Sequence, residues 1–236
     1  MASKEKIYIG KTKDIYRLPN GNLWIVFKDD VTGHNGVVDP GANTVMGQIE
    51  GKGRMSLRLT EYFFDLVSGQ GVPTHLVQVD AARGAMEVKP ADVLGKGVKT
   101  PGGLEFICRT LAYGSFLRRY GNIIQEPQQA LDYLVEITLK DDERGDPLIN
   151  DDALVALAVL SRPQLDRAKA LTRQITRLIA QDLQDKNLAL VDMKMEFGLI
   201  DGEITLIDEI SADAMRVMDS EGKQLSHMAL YQTLCD

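Results

Sequence analysis

Charged and apolar residues alternate along residues 190–198, LVDMKMEFG. Because successive side chains of a β-strand point to opposite faces, Asp192, Lys194 and Glu196 share one face and the apolar residues share the other. Carboxylate oxygens are the ligands that Mg²⁺ prefers, usually one or two of them beside substrate phosphates, and an ammonium group can hold a phosphate or carboxylate. The pattern therefore predicts a site for a metal ion and an anion. A solvated face with ordinary ion pairs is the alternative.

A second acidic segment, residues 204–216, follows after a tight turn that contains Asp-Gly. A two-residue loop at this turn would place Asp208 on the face of Met195. A three-residue loop, with its glycine left-handed, would place Asp208 opposite Lys194 and diagonal to Glu196. Only the second register makes a metal site, and the sequence leaves both registers open.

A short basic motif near the N-terminus contains Gly10, Lys11 and Lys13. If this segment is a strand, Lys11 and Lys13 share a face, and two ammonium groups beside a glycine suit a polyphosphate. The motif lacks the GxxxxGK spacing of a Walker loop, so it is weak by itself. A solvated edge strand is the alternative.

Arg109 and the pair Gly114-Ser115 form a third group. We expect Ser115 to cap a short helix that stops at Gly121. The free N–H groups of a helix N-terminus attract phosphate, and the Arg109 guanidinium group can add a bidentate pair of hydrogen bonds. The alternative is a capped helix beside a surface arginine.

A fourth group is the charged segment LKDDERGDPLIND, residues 139–151. A cluster of this kind before a proline indicates a loop. Such a loop could line a nucleotide cleft, which makes Lys140 a candidate nucleotide-binding residue.

The composition excludes several classes of protein. The chain of 236 residues is 44% hydrophobic and 26% charged, which is typical of a globular protein. Its formal net charge is −7 and it has no basic stripe, which argues against nucleic-acid binding. It has no run of about 18 apolar residues and no secretion signal, so we expect a cytoplasmic protein that does not bind membranes. Cys108 and Cys235 form no CxxC motif and favour a reducing compartment.

The elements that position these groups follow from periodicity. Alternating apolar residues predict strands over residues 6–30 and 74–109. Apolar residues at helical spacing between residues 55 and 67 predict a helix that Gly69 and Gly71 end.

The second half of the chain is more helical. Its clearest helix begins near Ser161, with Gln164 three residues later as a capping box. Two strands, residues 189–200 and 203–210, follow this helix.

This order of elements predicts an α+β protein with a β-rich N-terminal lobe, residues 1–100, and a mixed α/β C-terminal lobe, residues 101–236. A cleft between such lobes is a natural ligand site.

Five groups of motifs in this order resemble the SAICAR synthetase family, the ligases of purine biosynthesis. They are GKTKDIY; TGHNG with IEGKGRM; RTLAYGS; LKDDERGDPLIND; and LVDMKMEFG followed by DEISADAMR. The last pair is specific, because both motifs occur at the expected separation.

The resemblance implies a two-lobed fold with ATP between the lobes. It implies that carboxyaminoimidazole ribonucleotide, L-aspartate and ATP give SAICAR, ADP and phosphate through an acyl phosphate, with Mg²⁺ required. The partners would then be small molecules, while the sequence leaves homo-oligomerisation open.

The resemblance also implies roles for ten residues by matching position. These are Lys11, Lys13 and Lys140 for ATP; Glu196 and Asp208 for Mg²⁺; and Arg109, Ser115, Lys194, Asp213 and Arg216 for the phosphorylated carboxylate substrate. The catalytic residues among them would be Lys194, Glu196, Asp208 and Arg216.

The last motif departs from the family pattern, because the usual proline before Asp213 and the usual tryptophan after Arg216 are absent. These departures fall near the substrate-binding elements, so a paralogous ligase for another carboxylate or amine is the main alternative. A nucleotide-binding protein without turnover and a kinase-like phosphotransferase are further alternatives.

Overall fold

The structure is a computed structural model that describes residues 5–34, 37–38, 44–97, 102–126 and 128–236. Its strands are β1 Glu5–Ile9, β2 Lys13–Arg17, β3 Leu23–Phe27, β4 Asp30–His34, β5 Val37–Val38, β6 Val45–Gln48, β7 Leu76–Asp80, β8 Ala85–Val88, β9 Asp92–Val93, β10 Leu104–Leu111, β11 Ala130–Leu139, β12 Ala189–Ile200, β13 Glu203–Ile207 and β14 Met215–Met218. Its α-helices are α1 Lys52–Ser68, α2 Gly114–Tyr120, α3 Asp151–Ala156, α4 Arg162–Gln184 and α5 His227–Cys235. This mixture of helices and strands confirms the predicted α+β class.

Two predictions from the sequence involve positions outside the described residues: Asn35 and Gly36 of the TGHNG motif, and the lobe boundary between residues 100 and 101. Within the described ranges, no helix is long and apolar enough to cross a membrane.

The chain divides into two compact units. The first unit comprises residues 1–94, 197–214 and 226–236, and the second comprises residues 95–196 and 215–225. The division falls within β12, after Glu196, so this single strand contributes residues to both units.

The first unit is built on an antiparallel sheet of strand order β1-β2-β3-β8-β7. The apolar run of β3 and the buried side chains of β8 form one side of its core. Helix α1 packs against β3, β7 and β8 and closes this core with Leu57. Burial of these apolar side chains is the main force that holds α1 on the sheet.

The start of α1 depends on glycine and on a distant carboxylate. Gly51 has a φ of 77°, which glycine adopts without strain. The Asp29 carboxylate accepts hydrogen bonds from the N–H groups of Gly51, at 3.1 Å, and Gly53, at 2.9 Å. A Cβ atom on Gly53 would lie 2.9 Å from the carbonyl of Phe27, so only glycine fits there. The predicted helix is therefore confirmed, and its N-terminus is fixed against the end of β3.

The second unit contains the antiparallel order β11-β10-β12, with β14 also paired to β12. Helix α4 packs against β10 and β11 through a buried stripe that includes Leu171 and Ile175. The capping box predicted for Ser161 and Gln164 is present at its N-terminus.

The hairpin between β12 and β13 has a two-residue loop. Asp201 and Gly202 form this loop with φ angles of 52° and 82°, a pattern that suits a tight turn of right-twisted strands. Of the two registers, the structure therefore has the one that does not make a metal site by strand pairing. The predicted strand over residues 203–210 also ends early, at Ile207, and Asp208 follows with a left-handed φ of 65°. Strand alternation therefore does not set the direction of the Asp208 side chain.

Candidate functional site

Both carboxylates on the polar face of β12 are buried. Asp192 is 4% exposed and Glu196 is 7% exposed, while the apolar residues between them are buried on the opposite face. The alternation predicted from the sequence is thus confirmed, and the alternative of a solvated face is wrong. Buried carboxylates require partners, because an unpaired buried charge is costly.

Arg109 is the central cation of the second unit. It lies on β10 directly opposite Asp192 of β12 and is only 2% exposed. Its guanidinium group donates to Asp192 Oδ2 at 2.8 Å, to Glu136 Oε2 at 2.6 Å and to Ser115 Oγ at 3.0 Å. Arg119 donates to the same Glu136 carboxylate at 2.6 Å. Arg109 is therefore held rigidly by three different elements and is not a surface arginine.

Arg216 reaches the same carboxylate from β14. It lies opposite Asp192 on β12, and its Nη1 atom donates to Asp192 Oδ2 at 2.7 Å. A Cβ atom on Gly114 would lie 3.0 Å from that Nη1, and the guanidinium carbon is 5.7 Å from the centre of the Tyr113 ring. The structure thus brings Arg109, Arg216 and the start of α2 together.

The predicted capping role of Ser115 is wrong. Helix α2 begins at Gly114, its N-cap residue is Tyr113, and no side chain makes a capping hydrogen bond there. Ser115 lies in the first turn, where its hydroxyl accepts a hydrogen bond from Arg109 instead. Ser115 is a residue type that favours capping, but its hydroxyl is used by Arg109 on β10.

Two further ion pairs lie in the second unit. Lys194 donates to Glu105 at 2.7 Å, and Lys140 donates to Glu196. Burial opposes the charge of Lys194, but the charge of Glu105 outweighs burial and raises the pKa of Lys194 above its ordinary value. Thr138 also donates to Glu105, at 3.0 Å. Lys140 and Glu196, predicted for ATP and Mg²⁺ respectively, are therefore partners here.

In the first unit, Lys13 has two acidic partners. It begins β2, whereas Lys11 lies in the turn before β2, so the prediction that both lysines share a strand face is wrong. The Nζ atom of Lys13 lies 2.6 Å from Asp208 Oδ1 and 2.6 Å from Glu209 Oε1. Burial opposes the Lys13 charge, but the charges of Asp208 and Glu209 outweigh it and raise the Lys13 pKa. The side chain is 13% exposed, so the alternative of a solvated edge strand does not hold for Lys13.

His75 contacts the backbone of the same acidic residue. Its Nε2 atom is 3.2 Å from the carbonyl oxygen of Asp208. Burial lowers the pKa of His75 to about 4, so the ring is neutral at pH 7. A carbonyl oxygen can only accept, which assigns the hydrogen to Nε2. This contact supports Asp208 in its left-handed backbone conformation, a conformation that clusters at functional sites.

Asp213 has three partners within the first unit. Its Oδ2 atom pairs with the buried ammonium group of Lys52 and accepts from Ser56 Oγ at 3.1 Å. Its Oδ1 atom lies 2.9 Å from Nε2 of His227. Burial opposes ionisation of Asp213, but the His227 hydrogen bond and the Lys52 charge outweigh burial and lower the pKa of Asp213 to about 2. Asp213 is therefore ionised at neutral pH.

Sequence reasoning missed several residues of these groups, which are Lys52, His75, Glu105, Glu136, Glu209 and His227. No local pattern marks them, because each is defined by a partner far away in the sequence. Asp192 did carry a signal, since it shares a strand face with Lys194 and Glu196.

The carboxylates predicted to bind Mg²⁺ belong to different units, Glu196 to the second and Asp208 to the first. Each is held near a lysine predicted to bind ATP, Glu196 by Lys140 and Asp208 by Lys13. Among the described residues, no group of three or more His, Cys, Asp or Glu side chains could hold a metal. Mg²⁺ commonly takes only one or two protein carboxylates and completes its shell with phosphate and water, so either carboxylate by itself is a suitable ligand for the ion.

A comparison of the sequence with known protein families decides the identity. The profile of the family described as SAICAR synthetase matches residues 6–230. The chain belongs to the SAICAR synthetase family. Membership makes it an ATP-dependent ligase that forms a carbon–nitrogen bond, as the motifs predicted.

Individual relatives agree with the family assignment. The chain is 50% identical over 212 residues to the phosphoribosylaminoimidazole-succinocarboxamide synthase of Clostridium tetani. The aligned region covers 89% of this chain and 90% of the relative. It is 34% identical over 219 residues to the enzyme of the same name from Finegoldia magna, covering 92% and 87% of the two chains.

Solved structures show the same fold. A SAICAR synthetase in complex with ADP superimposes with a TM-score of 0.81 at 27% identity, covering 95% of this chain and 89% of the other. Another SAICAR synthetase superimposes with a TM-score of 0.77 at 32% identity, covering 91% and 86% of the two chains.

Proposed function

We propose that this protein joins carboxyaminoimidazole ribonucleotide to L-aspartate at the expense of ATP, giving SAICAR, ADP and phosphate. The observation that carries the proposal is the buried arginine network around Asp192, which suits an anionic substrate. The names of the relatives and the ADP bound to one related structure support the same reaction.

The chemistry requires activation of a carboxylate. Transfer of the γ-phosphoryl group of ATP to the substrate carboxylate forms an acyl phosphate and releases ADP. The amine of aspartate then attacks the acyl carbon, the carbon–oxygen bond to phosphate breaks, and phosphate leaves as the amine loses a proton. Phosphoryl transfer depends on positioning and charge neutralisation, so a protein nucleophile is not required.

The arginine network supplies positive charge for the carboxylate substrate. The guanidinium groups of Arg109, Arg119 and Arg216 converge on the two carboxylates of Glu136 and Asp192. Guanidinium groups suit phosphate and carboxylate because they donate in a planar fork. We therefore assign Arg109 and Arg216 to the anionic substrate.

Ser115, Lys194 and Asp213 complete the proposed set for this substrate. The Ser115 hydroxyl and the Lys194 ammonium group are donors in the same unit as the arginine network. The Asp213 carboxylate is ionised, so it can accept a hydrogen bond from a donor on the substrate.

We propose that Lys13, Lys140 and Lys11 bind the phosphates of ATP, and that Glu196 and Asp208 bind Mg²⁺. In the structure, Lys13 and Lys140 neutralise these two carboxylates. Bound Mg²⁺ would supply charge neutralisation at the phosphates. The ammonium groups of Lys13 and Lys140 would hold phosphate oxygens beside these carboxylates. A nucleotide cleft between the lobes remains a prediction from the resemblance.

A paralogous ligase is the second candidate, because Ala212 and Met218 stand in the motif that departs from the family pattern. The free thiols of Cys108 and Cys235 agree with the cytoplasmic location that we propose.

The test is to measure ADP release with ATP, Mg²⁺, carboxyaminoimidazole ribonucleotide and L-aspartate, omitting each in turn. We expect release to need all four, with SAICAR as product. Glu196→Gln removes the charge of a proposed metal ligand and should abolish turnover. ATP binding by the wild-type protein without turnover would favour the paralogue, and other carboxylates and amines would then be screened.

A further inference from the structure

The ionised carboxylate of Asp213 ties three parts of the first unit together. Lys52 and Ser56 come from α1, Asp213 comes from the segment between β13 and β14, and His227 is the first residue of α5. Lys52 is 1% exposed, and His227 is also buried. A buried carboxylate with donors on two helices fixes the backbone that carries it.

A path of hydrogen bonds continues from Asp213 to the phosphate-binding lysine. The Asp213 N–H donates to Ser211 Oγ at 3.1 Å, and Ser211 Oγ donates to Glu209 Oε2 at 2.5 Å. The other oxygen of Glu209 accepts from Lys13 at 2.6 Å. His227 is therefore linked to Lys13 through three residues, Asp213, Ser211 and Glu209, and Lys13 also holds Asp208.

The direction of the His227 contact follows from chemistry. An ionised carboxylate can only accept, so Nε2 of His227 carries a hydrogen and donates it to Asp213 Oδ1. Hydrogen bonds to charged groups are stronger than those between neutral groups. His227 therefore holds the acidic segment from its far end, while Lys13 holds the near end.

We propose that His227 is a positioning residue of this ligase, which orders the segment 208–214 through Asp213 and thereby keeps Asp208 and Glu209 in place for Mg·ATP. The structural half of the proposal is that His227 orders the segment 208–214, and it rests on the contacts alone. The functional half rests on the proposed function, because it uses Asp208 and Lys13 as Mg·ATP ligands.

The experiment compares three variants with the wild-type chain. His227→Leu keeps a similar volume but removes the donor. His227→Gln places an amide N–H at the position of Nε2 and so keeps the donor. Gln232→Ala changes an exposed residue of the same helix and serves as the matched control.

The first measurement is hydrogen exchange of the peptide that covers residues 208–214, at a temperature where circular dichroism shows every variant folded. We expect His227→Leu to accelerate exchange there about tenfold or more, while the β3 peptide is unchanged. His227→Gln and Gln232→Ala should stay within about twofold of wild type. Unchanged exchange in His227→Leu would overturn the proposal.

The second measurement is Mg·ATP affinity by calorimetry on the same proteins. We expect a loss of about fivefold or more in His227→Leu and recovery in His227→Gln. Faster exchange with unaltered Mg·ATP affinity would mean that His227 is merely structural and would overturn the positioning role. If His227→Leu does not fold, His227→Asn replaces it, since its shorter amide misplaces the donor; equal behaviour of His227→Asn and wild type would refute the proposal.

The two proposals fail differently. Wild-type protein that binds Mg·ATP but makes no SAICAR would count against the proposed substrates and leave the His227 comparison intact. Failure of the wild-type protein to bind Mg·ATP would overturn both the proposed function and the functional half of the His227 proposal. Hydrogen exchange would then be the measurement that tests whether His227 orders the segment 208–214.

Discussion

Asp192→Asn should lower both the stability of the protein and its affinity for the carboxylate substrate. A single oxygen of Asp192 accepts from Arg109 at 2.8 Å and from Arg216 at 2.7 Å. The side chain is 6% exposed, so solvent screens these contacts little. Asparagine keeps the shape but removes the charge, and it leaves two guanidinium groups on one neutral acceptor.

The size of the effect follows from burial. Removing one partner of a buried charge network costs about 3–5 kcal/mol, because the remaining charges lose compensation that solvent cannot replace. For a chain of this size, each kcal/mol lowers the midpoint of thermal unfolding by roughly 2–4 °C. We therefore expect a decrease of about 10 °C in Asp192→Asn, measured by calorimetry.

The matched control is Asp152→Asn. Asp152 pairs with Arg162 at 3.1 Å, but its side chain is 94% exposed. Exposed ion pairs contribute little to stability, so this variant should unfold close to the wild-type midpoint.

The Asp192→Asn variant should also show a kinetic effect that is confined to one substrate. We expect the KM for the carboxylate substrate to rise about tenfold, since Arg109 and Arg216 lose their common anchor, while the KM for ATP changes less than about twofold. A midpoint shift no larger than that of Asp152→Asn, or equal losses for both substrates, would refute this account of Asp192.

Four other changes test the site. Asp208→Asn should abolish turnover in the coupled ADP assay, because it removes a metal-ligand charge; near-normal activity would remove Asp208 from the metal site. Arg216→Ala should raise the KM for the carboxylate substrate far more than that for ATP, and equal increases would count against its role. The double variant Lys11→Ala/Lys13→Ala should raise the KM for ATP, and a normal KM and kcat would refute the phosphate assignment. Because the Asp213 pKa is lowered from its ordinary 3.8 to about 2, its contribution to stability is complete above pH 4 and is lost as the pH falls toward 2. In urea titrations, the free energy of unfolding of Asp213→Asn should therefore fall less than that of the wild type as the pH decreases across that range. An equal fall in both proteins would contradict the lowered pKa of Asp213.

Periodicity and local chemistry were sufficient for much of the fold. The 3.6-residue spacing of apolar residues located α1, and the Ser161 capping box located the start of α4. The alternation along β12 separated its polar and apolar faces correctly. These signals are contained within a few residues, so they can be read before any tertiary contact is known.

Local signals failed where distant residues competed for the same groups. Ser115 is a good capping residue, but Arg109 takes its hydroxyl. Lys11 and Lys13 were placed on one strand, but the chain turns before β2 begins. The hairpin register was undetermined because an Asp-Gly turn permits loops of two or three residues, and the structure has two.

The sequence by itself determined the family, the α+β class and the types of residue that could bind phosphate, metal and carboxylate, because motifs and periodicity are written in neighbouring residues. Only the tertiary structure decided which charges meet. Arg109 and Asp192 are 83 residues apart, and Lys13 and Asp208 are 195 apart. Pairings at such separations depend on strand register and helix packing, since a buried charge is stable only where the fold brings a partner to it.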